Sequence, residues 1–175
     1  MEDIIEPKLI NTLLSRKEII LEKWIELILV GYHAEGAKFF GENDDPFRNP
    51  VGTTIKGETE SILSQLLKEM DSALLEKSLD KIIRIRSIQE FSASEAVSFI
   101  FLLKQVISEE IITDNYKDID AIDILDIYTR VDKIVLMAFD IYMQNREQIF
   151  NIKINEIKKR STFVNMDRKP KRNDV

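Results

Sequence analysis

The stretch that decides the fold is residues 117–160, KDIDAIDILDIYTRVDKIVLMAFDIYMQNREQIFNIKINEIKKR, in which apolar residues recur every three or four positions. This spacing predicts one amphipathic helix from about Lys117 to Arg160. Its apolar residues fall into two adjoining stripes. The first consists of Ile127, Val131, Ile134, Ala138 and Ile141, and the second of Leu125, Tyr128, Val135, Phe139, Tyr142 and Ile149.

A helix of that length spans about 65 Å at 1.5 Å per residue. A globule of this chain length has a diameter of about 40 Å, so the end of the helix is expected to project beyond the body. Apolar residues on a projecting helix need a partner, either a second copy of the chain or another protein. The predicted dimerisation residues are Ile127, Val131, Ile134, Ala138, Ile141, Ile149 and Ile152.

The rest of the chain is also predicted to be helical, because residues 58–169 contain neither glycine nor proline. A helix after Pro7 is expected to restart at a Ser15 to Glu18 capping box and run to about Phe40. Further helices are predicted from near Thr53 or Thr54, over 74–90, and from a second capping box at 92–95 to about 113, with a centrally buried run at 96–103. The fold class is therefore all-α.

Composition excludes several kinds of chemistry. The chain has no cysteine and one histidine, His33, which removes thiol nucleophiles and most zinc sites. No nucleophile, base and orienting group can be assembled, so we expect no enzyme, no metal and no cofactor. The longest apolar stretch, 27–32, is too short to span a membrane, and the start of the chain lacks a secretory signal. We therefore expect a cytoplasmic protein without membrane insertion.

Charge is distributed unevenly. From Lys153 onward eight basic residues face three acidic ones, so this end carries +5 and the remainder −11 of the net −6. An acidic body repels phosphates, which argues against a nucleic-acid partner. We expect one helical domain over 1–160 and a basic, disordered tail over 161–175.

Three polar residues of the third predicted helix, over 74–90, have two interpretations. Arg84, Arg86 and Gln89 suit an anionic ligand or a carboxylate of a partner protein. They equally suit a structural role that ties this helix to its neighbours, which we prefer. A small-molecule carrier is the alternative function, with a pocket lined by the Arg86 and Gln89 pair together with Phe99, Phe101 and Tyr128.

Four motifs in fixed order, DPFRNPVG at 45–52, IRSIQ at 85–89, FSASEAV at 91–97 and FIFLLK at 99–104, resemble the N-terminal domain of RsbRD-type co-antagonists of the RsbT kinase. The resemblance covers about residues 15–160, including Trp24. It implies a globin-like helical bundle with a long C-terminal helix, and it adds Asp45, Phe47, Asn49 and Lys104 as candidate ligand- or partner-binding residues.

What the resemblance implies about function is a sensory input domain of stressosome proteins that dimerises through its last helices and passes a signal to an output domain. A haem-binding globin would carry its proximal histidine in the helix before the Ser92 capping box. The predicted helix over 74–90 contains no histidine, so the resemblance implies the non-haem branch. Only fifteen residues follow Arg160, so we expect a regulatory sensor or adaptor that forms a homodimer and reports to a partner regulatory protein in trans, with an unknown small ligand as a possible input.

Overall fold

Helices account for all regular structure in the described part of the chain, so the all-α prediction is confirmed. The computed structural model describes residues 8–30, 49–89, 91–113 and 119–167, without the side chains of 113 and 162–167. These ranges contain six helices, which are α1 (Lys8–Ser15), α2 (Lys17–Val30), α3 (Pro50–Leu66), α4 (Ser72–Ile88), α5 (Ala93–Thr113) and α6 (Ala121–Asp167).

The predicted break between the first two helices lies at Arg16. The Ser15 hydroxyl donates to the carbonyl oxygen of Thr12 at 2.7 Å, so its side chain closes α1. The expected end of α2 near Phe40 lies outside the described residues. Leu9 and Leu13 of α1 and Ile20 and Trp24 of α2 are buried, which anchors both short helices in the core.

Helix α3 begins earlier than the predicted Thr53 or Thr54, because Asn49 caps it. The Asn49 side-chain oxygen accepts a hydrogen bond from the Gly52 amide at 2.8 Å, and Pro50 occupies the first turn. Proline fits there because the first helical amides have no intrahelical partner. Gly52 leaves room for this cap, since a Cβ atom on it would lie 2.2 Å from the Asn49 Nδ2 atom and would force the Asn49 side chain to shift. The Asn-Pro-Val-Gly motif is therefore a helix start.

Replacing Gly52 by alanine is expected to lower the free energy of unfolding by about 1–2 kcal/mol, because the new methyl group displaces the Asn49 cap. Gly57→Ala is the matched control: a Cβ atom there meets nothing within 4 Å. That change is expected to raise stability by about 0.5–1 kcal/mol through helix propensity. Urea unfolding followed by circular dichroism measures both, and equal effects of the two substitutions would contradict the assignment.

The junction between α4 and α5 is the capping box predicted at Ser92 and Glu95. The Ser92 amide donates to the Glu95 carboxylate at 2.9 Å, and the Glu95 amide donates to the Ser92 hydroxyl at 3.4 Å. Hydrogen bonds from the Ser92 hydroxyl and amide hold the pKa of Glu95 below its ordinary value. The predicted start of α5 is confirmed. The helix is described to Thr113, and its predicted end borders on residues outside the described part of the chain.

Helix α5 is less completely buried than its apolar sequence suggested. Val97, Phe99 and Ile100 are buried, but Phe101 is exposed. The prediction of burial all round was wrong at this position, because α5 packs on α2 and α6 and leaves one side to solvent.

Helix α6 is unbroken and closes the core. It packs along α4 and α5 and touches α3, while α2 lies against α3 and α5. It continues to Asp167, beyond the predicted end at Arg160, and spans about 70 Å. Despite this length, none of the described helices combines enough length and apolarity to cross a membrane.

Candidate functional site

Arg86 is a structural part of the junction between α4 and α5. Its guanidinium is buried, with its centre 5.1 Å from the Phe91 ring centroid and 4.9 Å from that of Phe99. Its Nη1 atom donates to the carbonyl oxygen of Glu95 at 3.0 Å. Aromatic faces stabilise a desolvated guanidinium, so these contacts accommodate the charge inside the fold. The geometry agrees with the structural interpretation of this residue.

The other two polar residues predicted beside Arg86 do not join it. Arg84 is exposed and donates to the Asp80 carboxylate at 3.0 Å, an ion pair within α4. Gln89 is exposed at the C-terminal end of α4, where its backbone N–H donates to the Ile85 carbonyl oxygen at 3.1 Å. The three side chains therefore form no common anion-binding site.

The predicted carrier pocket is not assembled either. Phe99 points into the core, where its ring stacks with Trp24 at a centroid distance of 6.2 Å. Phe101, two residues later on the same helix, lies on the solvent side next to Lys104. Residues two apart on a helix point in nearly opposite directions, so Phe99 and Phe101 cannot line one cavity.

Lys104 joins α5 to α6. Its Nζ atom donates to Asp132 Oδ1 at 2.6 Å and lies 5.3 Å from the centre of the Tyr128 ring. Of the remaining motif candidates, Asn49 is the buried cap of α3, whereas Asp45 and Phe47 lie outside the described residues.

Glu110 forms a buried electrostatic centre that sequence reasoning missed. Its side chain is 1% exposed and accepts hydrogen bonds from Arg16 Nε at 2.7 Å and Lys23 Nζ at 2.5 Å. Burial acts to raise the pKa of Glu110, but the hydrogen bonds and positive charges of Lys23 and Arg16 outweigh it and hold the pKa below its ordinary value. The carboxylate therefore ties the α1–α2 turn to α5.

Five of the seven predicted dimerisation residues belong to the core of a single copy. They are fully or almost fully buried, so a second copy cannot reach them while α6 stays on its own body; they are Ile127, Val131, Ile134, Ala138 and Ile141. This corrects the predicted surface. Of the other two, Ile149 is half-buried and Ile152 is exposed.

The exposed apolar surface of α6 lies on the opposite side of the helix. It follows a seven-residue repeat that we call the outer row, in which Thr129 is the one polar position between residues 122 and 157. Its apolar members are all at least half exposed; they are Ile122, Leu136, Met143, Phe150 and Ile157. Leu125 and Phe139, each three residues after a position of the row, widen it. A seven-residue apolar repeat is the pattern of a coiled-coil seam. The repeat is visible in the sequence, but apolar residues occur on both sides of α6, so the sequence alone did not indicate which side faces the body.

Asn145 is the last buried residue of α6 among those whose side chains are described. Its Nδ2 atom lies 3.4 Å from Asp80 Oδ1. Earlier along α6, the Tyr142 hydroxyl donates to the Phe91 carbonyl oxygen at 2.6 Å, and Arg130 Nη1 donates to the Lys68 carbonyl oxygen at 2.9 Å. We therefore divide α6 into a proximal segment, 121–145, held by the body, and a distal segment, 146–161, which lies largely in solvent.

Comparison with known proteins gives one family. The family model of the RsbT co-antagonist protein rsbRD N-terminal domain matches residues 18–156, most of the chain. No curated protein and no solved structure is significantly similar to the chain. The match includes α2 to α5, the proximal segment of α6 and much of its distal segment.

Proposed function

We propose that this chain, which belongs to the family of RsbT co-antagonist rsbRD N-terminal domains, is a non-catalytic regulatory sensor domain of the stressosome type. In this proposal it is a cytoplasmic, globin-like, non-haem homodimer that reports through α6 to a partner protein in trans. Family membership supports the regulatory class, and the exposure of α6 supports this helix as the route of the signal.

The single observation that carries the proposal is the outer row. Ile122, Leu136 and Met143 remain exposed on the proximal segment, while the opposite side of that segment is buried in the body. Phe150 and Ile157 continue the row along the distal segment. An extended apolar face of this kind marks an interaction surface. A two-fold axis along α6 places the outer row against itself, so a second copy covers Leu136 and Met143 of the proximal segment without a new complementary surface.

The signal in this proposal travels by movement of α6. The proximal segment is fixed to the body through Tyr142 and Arg130, and the distal segment continues the same helix without a break. A ligand or partner that changes the packing of the body changes the spacing or register of the paired helices. The distal segments then present that change to the partner.

Multi-angle light scattering of the full chain at micromolar concentration tests the proposal. The expected molar mass is twice the 20.4 kDa of one chain. A strict monomer over this concentration range would contradict the proposal, because the outer row would then not bind a second copy.

A further inference from the structure

The outer face of α6 changes its chemistry where the helix leaves the body. In the proximal segment, Leu136, Phe139 and Met143 make the face apolar at both spacings of a coiled-coil seam. In the distal segment the apolar row continues with Phe150 and Ile157, but the second row is basic. The members of this basic row are exposed, and they lie three residues after Met143, Phe150 and Ile157. They are Arg146, Lys153 and Arg160.

Self-pairing does not suit the distal segment. In a parallel two-stranded coil each seam residue faces its own equivalent, so Arg146, Lys153 and Arg160 would each oppose an identical cation. Like charges placed opposite one another disfavour pairing. The distal segment carries five basic residues against two acidic ones, Glu147 and Glu156, which cannot neutralise the row. In the proximal segment the corresponding second row carries one charge, Asp132, whose carboxylate is paired with Lys104 Nζ at 2.6 Å.

A helix with acidic residues is the complementary partner. Carboxylates repeating every seven residues beside an apolar row would meet the three cations while the apolar row packs on Phe150 and Ile157. Arginine and lysine accept this arrangement because their aliphatic stems lie along apolar surface while the charged ends reach the carboxylates. Arginine also binds a carboxylate through two parallel hydrogen bonds.

We infer that the distal segment of α6 is a docking site for an acidic amphipathic helix of the partner protein. Phe150 and Ile157 provide the apolar contact, and Arg146, Lys153 and Arg160 select the acidic partner. This inference rests on the proposed function in that it specifies the partner that reads α6. It differs from it in separating two surfaces, a proximal segment for self-association and a distal segment for the partner.

The binding test uses the full chain and two labelled synthetic helices of about four heptads. Both carry isoleucine along one row; the probe has glutamate in the neighbouring row, and the control peptide has lysine there. Fluorescence anisotropy should give at least about tenfold tighter binding of the glutamate peptide, with the difference shrinking as salt is added. Equal affinity for the two peptides, or no binding of the glutamate peptide, would overturn the inference.

Charge reversal assigns the binding to the row. The variant Arg146→Glu, Lys153→Glu and Arg160→Glu should reverse the preference, so that the lysine peptide binds more tightly. The matched control, Lys77→Glu, Lys133→Glu and Lys159→Glu, changes the net charge equally at exposed positions outside the row and should keep the original preference. Equal loss in both variants would mean attraction by overall charge and would overturn the inference.

Two further readouts separate this inference from the proposed function and from other occupants. Light scattering should give the same dimer for the row variant and the unmodified chain; a monomeric row variant would place the cations in the self-interface and refute a separate partner site. If the unmodified chain is a monomer but still prefers the glutamate peptide, the proposed homodimer is refuted and the partner site is retained. Binding to phosphatidylglycerol vesicles that is lost in the row variant, without glutamate-peptide binding, would identify a membrane surface and refute the helical partner.

Discussion

Replacing Trp24 by alanine is expected to lower the free energy of unfolding by about 3–5 kcal/mol. The indole is fully buried, stacks on Phe99 with an angle of 13° between the ring planes, and donates from Nε1 to the Phe99 carbonyl oxygen at 2.6 Å. Alanine leaves a cavity between α2 and α5 that the surrounding helices can fill only in part.

Urea unfolding followed by far-ultraviolet circular dichroism measures this change, since the chain has no other tryptophan to report by fluorescence. Trp24→Phe is the graded control, because it keeps an aromatic ring against Phe99 and removes the hydrogen bond. It should cost clearly less than Trp24→Ala. A loss below about 1 kcal/mol for the alanine variant, within the range of ordinary surface substitutions, would show that this contact does not hold α2 to α5.

Placing Glu at both Leu136 and Met143 is expected to weaken self-association by about 100-fold or more. In the paired helices each new carboxylate faces its own equivalent and replaces an apolar contact of the outer row. The two side chains are 66% and 50% exposed in the single copy, so the body should fold normally.

Sedimentation velocity over a concentration series compares this variant with Leu74→Glu and Ile88→Glu. These controls replace two apolar residues on α4 that are also exposed, 47% and 67%, but lie outside the outer row. The α6 variant should sediment as a monomer and the α4 variant as a dimer. Dissociation in both variants, or in neither, would speak against the outer row as the dimer seam.

Local sequence signals predicted the start of α5, which depends on hydrogen bonds between residues close in sequence. The Ser92 and Glu95 pair closes its capping box within four residues, so no distant part of the chain is needed to recognise it. The start of α3 was predicted at Thr53 or Thr54, three or four residues too late, because the helix begins at Pro50. Asn49 makes the same proline the first helical residue.

Tertiary contacts could not be predicted in the same way. Glu110 resembles any acidic residue of an amphipathic helix until the fold brings Arg16 and Lys23 to it, at sequence separations of 94 and 87 residues. Helix α6 posed a related difficulty. Apolar residues occur on both of its sides, and a single sequence does not say that Ile134 faces the body while Leu136, two residues later, faces outward.

The covering of the outer row by a second copy is tested most directly by a single engineered thiol. Because the chain contains no cysteine, Met143→Cys introduces a unique one on the row, and Gln148→Cys places one in an exposed position on another side of α6. A disulfide requires Cα atoms within about 7 Å, which a parallel seam provides at residue 143 and not at residue 148. Mild oxidation should therefore give a covalent dimer of the first variant and a monomer of the second on non-reducing gels. Equal cross-linking of both variants, or none at residue 143, would contradict the account.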